Sequence, residues 1–397
     1  MISTMVALKI MGLVASSTGI LVTYRSMPSP AIRSKMMKIF KLGDLAVKHK
    51  TKNREIINYP SIVDVRVKED VKQIIFNLPD GLNPEKVVKH IWLFKQKFGE
   101  HIELHSKSTK IFILSIYQES IKPFNYEYKD IEKKIKKAVL PIVVGQSRSG
   151  LEVYDMLEYP HLLIAGETGS GKSTQVRSVL STLIQYCDTD KLKLYLADLK
   201  RSEFHLFRGI VNEVVYDSNA LYKVLVKLKK EMKKRGDLLN QNEVAHVSDL
   251  INPPPYIILC IDEVALLKKE NEIMEIIEEI SAIGRALGVF LILSMQRPDS
   301  DVLDGKLKNN LTVRMAFRHS DEINSRITIG TGEAAYIKQS EKGLMYLKKD
   351  GLQKVQAPYL DLKDAKKLLQ PFQNLKEVEV TVTNDIEQHQ VFGVLEP

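Results

Sequence analysis

Between residues 160 and 300 the apolar positions fall into short runs separated by longer segments of helical spacing. Leu162–Ala165 (LLIA), Lys193–Ala197 (KLYLA), Tyr256–Ile261 (YIILCI) and Phe290–Ser294 (FLILS) read as strands. The third is apolar throughout, which marks a strand covered on both faces rather than one with a wet side. Gln175–Tyr186 and Leu221–Asn240 read as helices between them. Strand and helix in alternation predict an α/β fold on a parallel sheet. The stretch 60–145 has another character, with apolar alternation around Ile62–Val67 and Gln73–Leu78, a turn at Pro79–Pro84 and a helix over Glu85–Phe98. Strands at His101–Leu104 and Ile111–Tyr117 follow, then a lysine-rich helix over Tyr128–Lys137. That order predicts a small α+β module. Its histidines, His90, His101 and His105, lack metal-ligand spacing and read as surface or packing residues.

Met5–Tyr24 shows a third pattern, 20 residues with the single charge of Lys9. This is about the length that spans a hydrocarbon core as a helix. Gly12, Ser16, Ser17, Thr18 and Gly19 dilute it, and Lys9 lies near one end, where a long side chain can snorkel. Residues 25–54 then carry nine Lys or Arg against one acid, Asp44, an asymmetry that keeps the following chain cytoplasmic if the segment spans. Within it Ile32, Met36 and Phe40 recur every fourth residue, predicting a helix whose apolar stripe, flanked by cations, suits a membrane surface. The rival readings are a signal peptide and a buried soluble helix. No small-residue cleavage site follows the run, which disfavours the first.

Composition sets limits on these readings. With 397 residues, 44% hydrophobic and 27% charged, the chain fits two or three globular domains and excludes wholesale disorder, collagen and a polytopic membrane protein. A net charge of +9 favours polyanionic partners, nucleic acid or acidic lipid. Cys187 and Cys260, the two cysteines, are too few for a disulfide framework or a four-ligand zinc site and read as buried small hydrophobes.

The chemistry is concentrated where the run Leu162–Ala165 meets Gly166-x4-Gly171-Lys172-Ser173 and a helix follows. Strand, glycine loop and helix are the context of a Walker A motif. Its glycines let backbone N–H groups approach phosphates, and the helix N-terminus adds its dipole. Lys172 supplies charge to the β- and γ-phosphates of ATP, and Ser173 offers a hydroxyl to Mg²⁺. Glu167, Thr168, Gly169, Ser170 and Thr174 complete the loop, contributing mainly backbone contacts. The strand Tyr256–Ile261 ends in Asp262-Glu263, a Walker B motif in which Asp262 holds Mg²⁺ through water and Glu263 acts as general base. A strand that merely ends in two acids is the bland alternative. Asp198 ends another strand, and Gln296 lies just beyond a fourth, placed to contact the γ-phosphate or its water. The basic helix Leu221–Asn240 presents either a solvated face or a polyanion contact, and Lys306 and Lys308 are equally open to both readings.

At these residues the sequence resembles the FtsK/SpoIIIE family of ring-forming, ATP-driven DNA translocases, over about Pro141–Leu360. The resemblance rests on PHLLIAGETGSGKS (160–173), EMKKR (231–235), PYIILCIDEVALL (255–267), GRALGVFLILSMQRPDSDVL (284–303) and VRMAFRHSDEINSRITIG (313–330). It implies a RecA-like core and six copies around DNA, with ATP at subunit junctions. By the same resemblance Arg326 is the arginine finger reaching a neighbour's nucleotide, with Arg314 and Arg318 as rivals. Only 37 residues follow Leu360, too few for the winged helix of chromosome-segregating members. The layout, with its PDGLNPEKV and VQAPYL segments, looks more like the coupling proteins of conjugative or mobile elements.

The expected organisation is a membrane anchor with a basic juxtamembrane segment (1–55), a small α+β domain (56–140), an FtsK-type P-loop ATPase domain (141–365) and a tail (366–397). The expected function is a DNA-stimulated ATP hydrolase moving DNA at the cytoplasmic face of the cell membrane with transfer-machinery partners. A protein-secretion motor, a segregation translocase and a nucleotide-switched scaffold are the alternatives. The first usually carries several tandem ATPase modules, and the last needs no water-activating acid.

Overall fold

A computed structural model describes residues 30–51, 54–67, 71–298, 301–303 and 305–373. The anchor segment 5–24 and most of the tail therefore lie outside the described residues. The chain divides into two compact units after Ser120.

Among the described residues the first unit starts with helix α1 (Pro30–Leu42) and a hairpin of β1 (Val47–Thr51) and β2 (Arg54–Asn58). Strands β3 (Ser61–Val67) and β4 (Val71–Asn77) follow, then α2 (Pro84–Lys89), α3 (Ile91–Phe98), β5 (Ile102–Ser106) and β6 (Ile111–Tyr117). These last four strands form an antiparallel sheet in the order β3-β4-β6-β5. The strands fall close to where alternation placed them. The single helix expected over 85–98 is two, broken at His90, whose ring Nδ1 lies 2.7 Å from the Lys86 carbonyl. The expected apolar stripe on α1 exists, but it does not face a membrane surface. Met36 and Phe40 are buried with Ile39 against Ile74, Phe76 and Phe94, and the Phe40 and Phe76 rings stand 5.6 Å apart. An apolar stripe is satisfied by any apolar face, and the nearest one is this unit's own sheet.

The second unit begins earlier than 141. Strand β7 (Phe124–Asn125) and helix α4 (Tyr128–Ile135) lie in it. Ile131 and Ile135 bury with Val143, and the Tyr126 hydroxyl sits 2.9 Å from Thr182 Oγ1. Next come β8 (Pro141–Gln146), β9 (Leu151–Asp155), β10 (Leu162–Ala165), α5 (Lys172–Tyr186), β11 (Leu192–Asp198) and β12 (Glu213–Val215). They are followed by α6 (Ser218–Asn242), β13 (Tyr256–Asp262), α7 (Asn271–Leu287), β14 (Val289–Met295), α8 (Gly305–Asn310), β15 (Val313–Ala316) and α9 (Glu322–Ile329). Strands β16 (Leu344–Lys348), β17 (Leu352–Gln356) and β18 (Pro358–Tyr359) precede helix α10 (Leu362–Leu369), the last among the described residues.

One ten-stranded sheet organises this unit, in the order β12-β11-β13-β14-β10-β15-β16-β17-β8-β9. The six strands from β12 to β15 are parallel, as expected, and the sheet is then extended by antiparallel pairings from β16 onward. Successive residues of each parallel strand enter opposite cores, the expected result of a two-residue period. Leu162, Ile164, Ile258 and Cys260 pack with Val176, Val179, Leu180 and Leu183 of α5. Leu163, Ala165, Leu259 and Ile261 pack with Leu221, Val224 and Leu228 of α6 and Ile277 and Ile280 of α7. Both faces are covered by helices, so apolar runs rather than alternation mark these strands.

Helix α6 begins where the Asp217 carboxylate accepts the Ala220 N–H at 2.8 Å. Its buried Arg235 ties elements together by donating to the carbonyls of Leu287 (2.8 Å) and Pro255 (2.7 Å) and to Glu231 (3.0 Å). This gives the EMKKR segment a structural role. The exposed lysines are partly engaged in ion pairs, Lys227 with Glu213 and Lys229 with Glu279.

Candidate active site

The carboxyl ends of β10, β13 and β14 converge, and side chains distant in sequence meet there. The glycine loop leaves β10 and enters α5 through Gly171, at φ 118°, a conformation side chains rarely adopt. A Cβ on Gly171 would also lie 2.9 Å from Gly343 Cα, because the turn before β16 packs against the loop. The Gly343 N–H donates to the Ser170 carbonyl at 2.8 Å, the Ser170 hydroxyl to the Glu167 carbonyl at 2.6 Å, and the Glu167 N–H to the Arg318 carbonyl at 3.0 Å. The loop is thus held from its own backbone and from the segments just after β15 and just before β16.

Lys172, buried at the first turn of α5, donates to Asp262 Oδ1 at 3.0 Å and to Ser294 Oγ at 2.6 Å. Ser294 donates in turn to Asp262 Oδ1 at 2.9 Å, so three strand or helix ends share one closed polar cluster. Lys172 and Asp262 are thus each other's ion-pair partner in a buried setting, where removing either leaves the other without its counterpart.

Glu263, next to Asp262, has left-handed backbone angles (φ 63°, ψ 59°), a conformation that costs a non-glycine residue energy and turns its side chain out of strand register. Its carboxylate is nevertheless buried. Lys200 donates to Oε2 at 2.6 Å, and the Gln296 backbone N–H lies 3.0 and 3.2 Å from the two oxygens.

Two cavities flank this cluster. One of about 720 Å³ runs along the loop past Lys172, Ser173, Thr174 and Gly343. The other, about 590 Å³, is lined by Lys200, Glu263, Leu266 and Arg297. Glu167, Thr168 and Gln296 line both, so the side chain expected to sense a terminal phosphate stands where the two volumes meet. The larger falls within the usual range for small-molecule sites. The donor set fits a triphosphate with a hard cation: turned glycines, one lysine, the Ser173 hydroxyl and the Asp262 carboxylate.

The arginines separate. Arg314 is structural, donating to the carbonyls of Leu311 (3.1 Å) and Lys308. Arg318 pairs with Glu167 of the glycine loop in the same subunit. Arg326 lines neither cavity, stands 62% exposed on α9 and pairs with Glu322 at 2.7 Å. Asp198 accepts the N–H groups of Ser202, Glu203 and Phe204, shaping the turn after β11. Sequence reasoning missed Lys200 and Ser294. Lys200 lies two residues beyond a strand paired directly with β13, Asp198 opposite Asp262, so its strand-end position was the signal that could have found it. Lys306, on α8, is exposed.

The sheet order, the glycine loop, the Asp262-Glu263 pair and the strand-end glutamine define a P-loop ATPase with a RecA-like core. Residues 127–253 match the model of the FtsK/SpoIIIE family, so the resemblance carried by the motifs is borne out. The chain is 33% identical over 215 residues to the DNA translocase FtsK of Staphylococcus aureus (strain Mu50 / ATCC 700699), covering 49% of this chain and 27% of that one. It is 32% identical over 243 residues to DNA translocase FtsK of Helicobacter pylori (strain J99 / ATCC 700824), covering 57% of this chain and 29% of that one. The chain thus spans under a third of the length of these relatives. Among solved structures, the pCW3 conjugation coupling protein TcpA, in a monomer form with ATPγS, matches with a TM-score of 0.59 and 24% identity over 85% of this chain and 98% of that one. The cytoplasmic domain of the type VII secretion ATPase EccC of Thermomonospora curvata matches with a TM-score of 0.53 and 24% identity, over 59% and 31%. At these identities the two structures speak to the fold.

Proposed function

We propose that the protein is a DNA-translocating motor that hydrolyses ATP. The observation that carries this reading is the convergence of Lys172, Glu263 and Gln296 on one pair of cavities, with Asp262 bonded to Lys172 behind them, in a chain whose similar relatives are DNA translocases. Lys172 and Asp262 satisfy each other in this structure. A triphosphate would offer Lys172 a new anion, and Asp262 would then be left free to hold a cation, so binding would exchange one matched pair for two. Ser173 and Asp262 would hold Mg²⁺, which would supply neutralisation of phosphate charge. Glu263 removes the proton from the attacking water, its carboxylate aimed by Lys200 and the Gln296 N–H, while the Gln296 side chain registers the terminal phosphate. Arg326, exposed and outside its own subunit's cavities, is assigned to a neighbour's γ-phosphate in a homo-hexameric ring.

DNA as the substrate is supported by the +9 net charge and by the relatives' activity. Phosphate contacts dominate such grip, which makes it sequence-tolerant and salt-sensitive. Service to a conjugative or mobile-element transfer machine, with residues 5–24 anchoring the motor at the cytoplasmic face of the membrane, belongs to the same proposal. The test is the ATP hydrolysis rate of the full chain with and without single- or double-stranded DNA at two salt concentrations. Stimulation that fades as salt rises is expected. Intact basal hydrolysis with no response to either form would overturn the DNA reading and direct the search to a polypeptide partner.

A further inference from the structure

The first unit holds a cavity of its own, about 460 Å³, where α1, α3 and the ends of β3, β4 and β6 come together. Its size falls in the usual range for small-molecule sites. Three ammonium groups border it, each from a different element: Lys35 of α1, Lys72 of β4 and Lys97 of α3. Among the described residues none of the three has a carboxylate partner, and no carboxylate lines the cavity. Neighbouring lysines differ, Lys86 pairing with Asp44 at 3.4 Å and Lys95 with Glu100 at 3.9 Å. Between the three lysines the wall is aliphatic, made by Ile32, Val71 and Ile116, and Ile32 and Ile116 rest on the core of the unit.

Such a wall is poorly suited to nucleic acid. Single strands are gripped by stacking bases on flat aromatic faces. The ring that could serve, Phe98, has the Lys35 ammonium over it, 5.5 Å from the ring centroid, and the Tyr117 hydroxyl is turned to Glu103 at 2.9 Å. An aliphatic floor under a cationic rim matches an acyl chain below an anionic head, because lysine stems are apolar and only their tips carry charge. A zwitterionic head would bring its own ammonium to the three lysines, with no carboxylate among the described lining residues to receive it. We infer that this cavity binds one acidic phospholipid, with Lys35, Lys72 and Lys97 holding the phosphate and Ile32, Val71 and Ile116 covering the upper part of a chain. The inference is independent of the nucleotide and DNA readings. Tyr24, the last residue of the apolar run, precedes Pro30 by six residues, a contour of at most about 22 Å, so the proposed anchor would keep the cavity within reach of the headgroup layer.

The test is calorimetric titration of the full chain with dihexanoyl phosphatidylglycerol below its micelle concentration, with dihexanoyl phosphatidylcholine and with glycerol 1-phosphate. It compares wild type with Lys35→Gln, Lys72→Gln, Lys97→Gln and the triple variant. A lysine beside an anionic lipid is worth roughly fivefold in affinity, so the triple variant should lose on the order of a hundredfold. The expected result is that wild type binds phosphatidylglycerol at least about tenfold more tightly than either other ligand, and that this preference falls with each lysine removed. Equal melting temperatures and unchanged basal ATP hydrolysis would show that the variants fold, and the single variants carry the test if the triple one does not. Equal affinity for the two lipids would overturn the inference by removing headgroup recognition, and glycerol 1-phosphate bound as tightly as the lipid would reduce the cavity to an anion site. A triple variant that binds phosphatidylglycerol like wild type would place the lipid elsewhere on the chain. A single-stranded oligonucleotide whose affinity falls in the triple variant while that of the lipid does not would reassign the lysines to nucleic acid.

Discussion

Lys172 is usually considered for what it does to phosphate, but the structure gives it a second task that can be measured without nucleotide. Lys172 and Asp262 are each about 5% exposed and lie 3.0 Å apart, with Ser294 completing the cluster. Lys172→Ala leaves the Asp262 carboxylate buried with one hydroxyl donor in place of an ammonium. Breaking a buried pair from one side typically costs about 3–5 kcal/mol, because the surviving charge is uncompensated. In a unit of this size each kcal/mol moves the midpoint by about 2–4 °C, so the nucleotide-free variant is expected to melt roughly 10 °C below wild type. Removing the second charge relieves the defect, and Lys172→Ala with Asp262→Asn should recover part of the loss, with a coupling energy of at least about 1 kcal/mol. The assay is thermal or urea unfolding of the four proteins of the cycle without nucleotide or divalent cation. A single variant that melts with wild type, or two single losses that simply add, would refute the claim that Lys172 and Asp262 hold each other before any ligand arrives.

Other expectations follow from the same geometry. Glu263→Gln should bind ATP with unchanged affinity and lose turnover by about 10²- to 10⁴-fold, the usual share of a general base; a turnover rate near wild type would remove Glu263 from that role. Lys200→Ala frees one Glu263 oxygen and should lower kcat about tenfold with little change in KM, and Lys200→Arg should restore much of it; equal loss in both variants would make Lys200 a packing residue. Mixing Arg326→Ala with Glu263→Gln subunits should regain hydrolysis if the arginine acts in trans, because a mixed junction holds one intact copy of each group, and mixtures as inactive as their parts would count against that assignment. Burial pushes the imidazoles of His161 and His319 down to about 4 from an ordinary 6.5, so both are held neutral in the folded chain. The unfolded chain then binds more protons across that window, and stability must fall as pH drops from about 6.5 towards 4, by up to about 3 kcal/mol for each group. His161→Asn keeps an acceptor for the Leu291 N–H and suits the left-handed backbone at φ 60°, so its unfolding midpoint should depend less steeply on pH over that range.

The glycine loop and the acidic strand end of the candidate site were legible because their constraints are local. A glycine loop must follow a strand and open a helix, and a buried strand must be apolar along its length, so Gly166–Thr174 and Tyr256–Glu263 could be placed by neighbours alone. Lys200 was not legible, since its role depends on which strand pairs with β13, and pairing order is a tertiary property. The antiparallel strands from β16 onward and the β7–β18 pair were hidden for the same reason, being short and completed only by distant partners. The α1 stripe shows the opposite failure. Ile32, Met36 and Phe40 marked the apolar face correctly, but the pattern cannot distinguish a bilayer from a neighbouring sheet, and Phe40 packs on Phe76. The boundary expected near residue 140 was displaced because the lysine-rich surface of α4 resembles the module before it, while Ile131 and Ile135 bind it to the sheet after it.

The central claim is that hydrolysis at this site moves DNA, and displacement of a block from DNA tests it most directly. The measurement is the release of streptavidin from the end of biotinylated single- or double-stranded DNA by the full chain with ATP and Mg²⁺, with Glu263→Gln in parallel. The account predicts release that requires ATP, is absent with Glu263→Gln and declines as salt weakens the grip on phosphates. Streptavidin retained on both forms of DNA while ATP is consumed would contradict it.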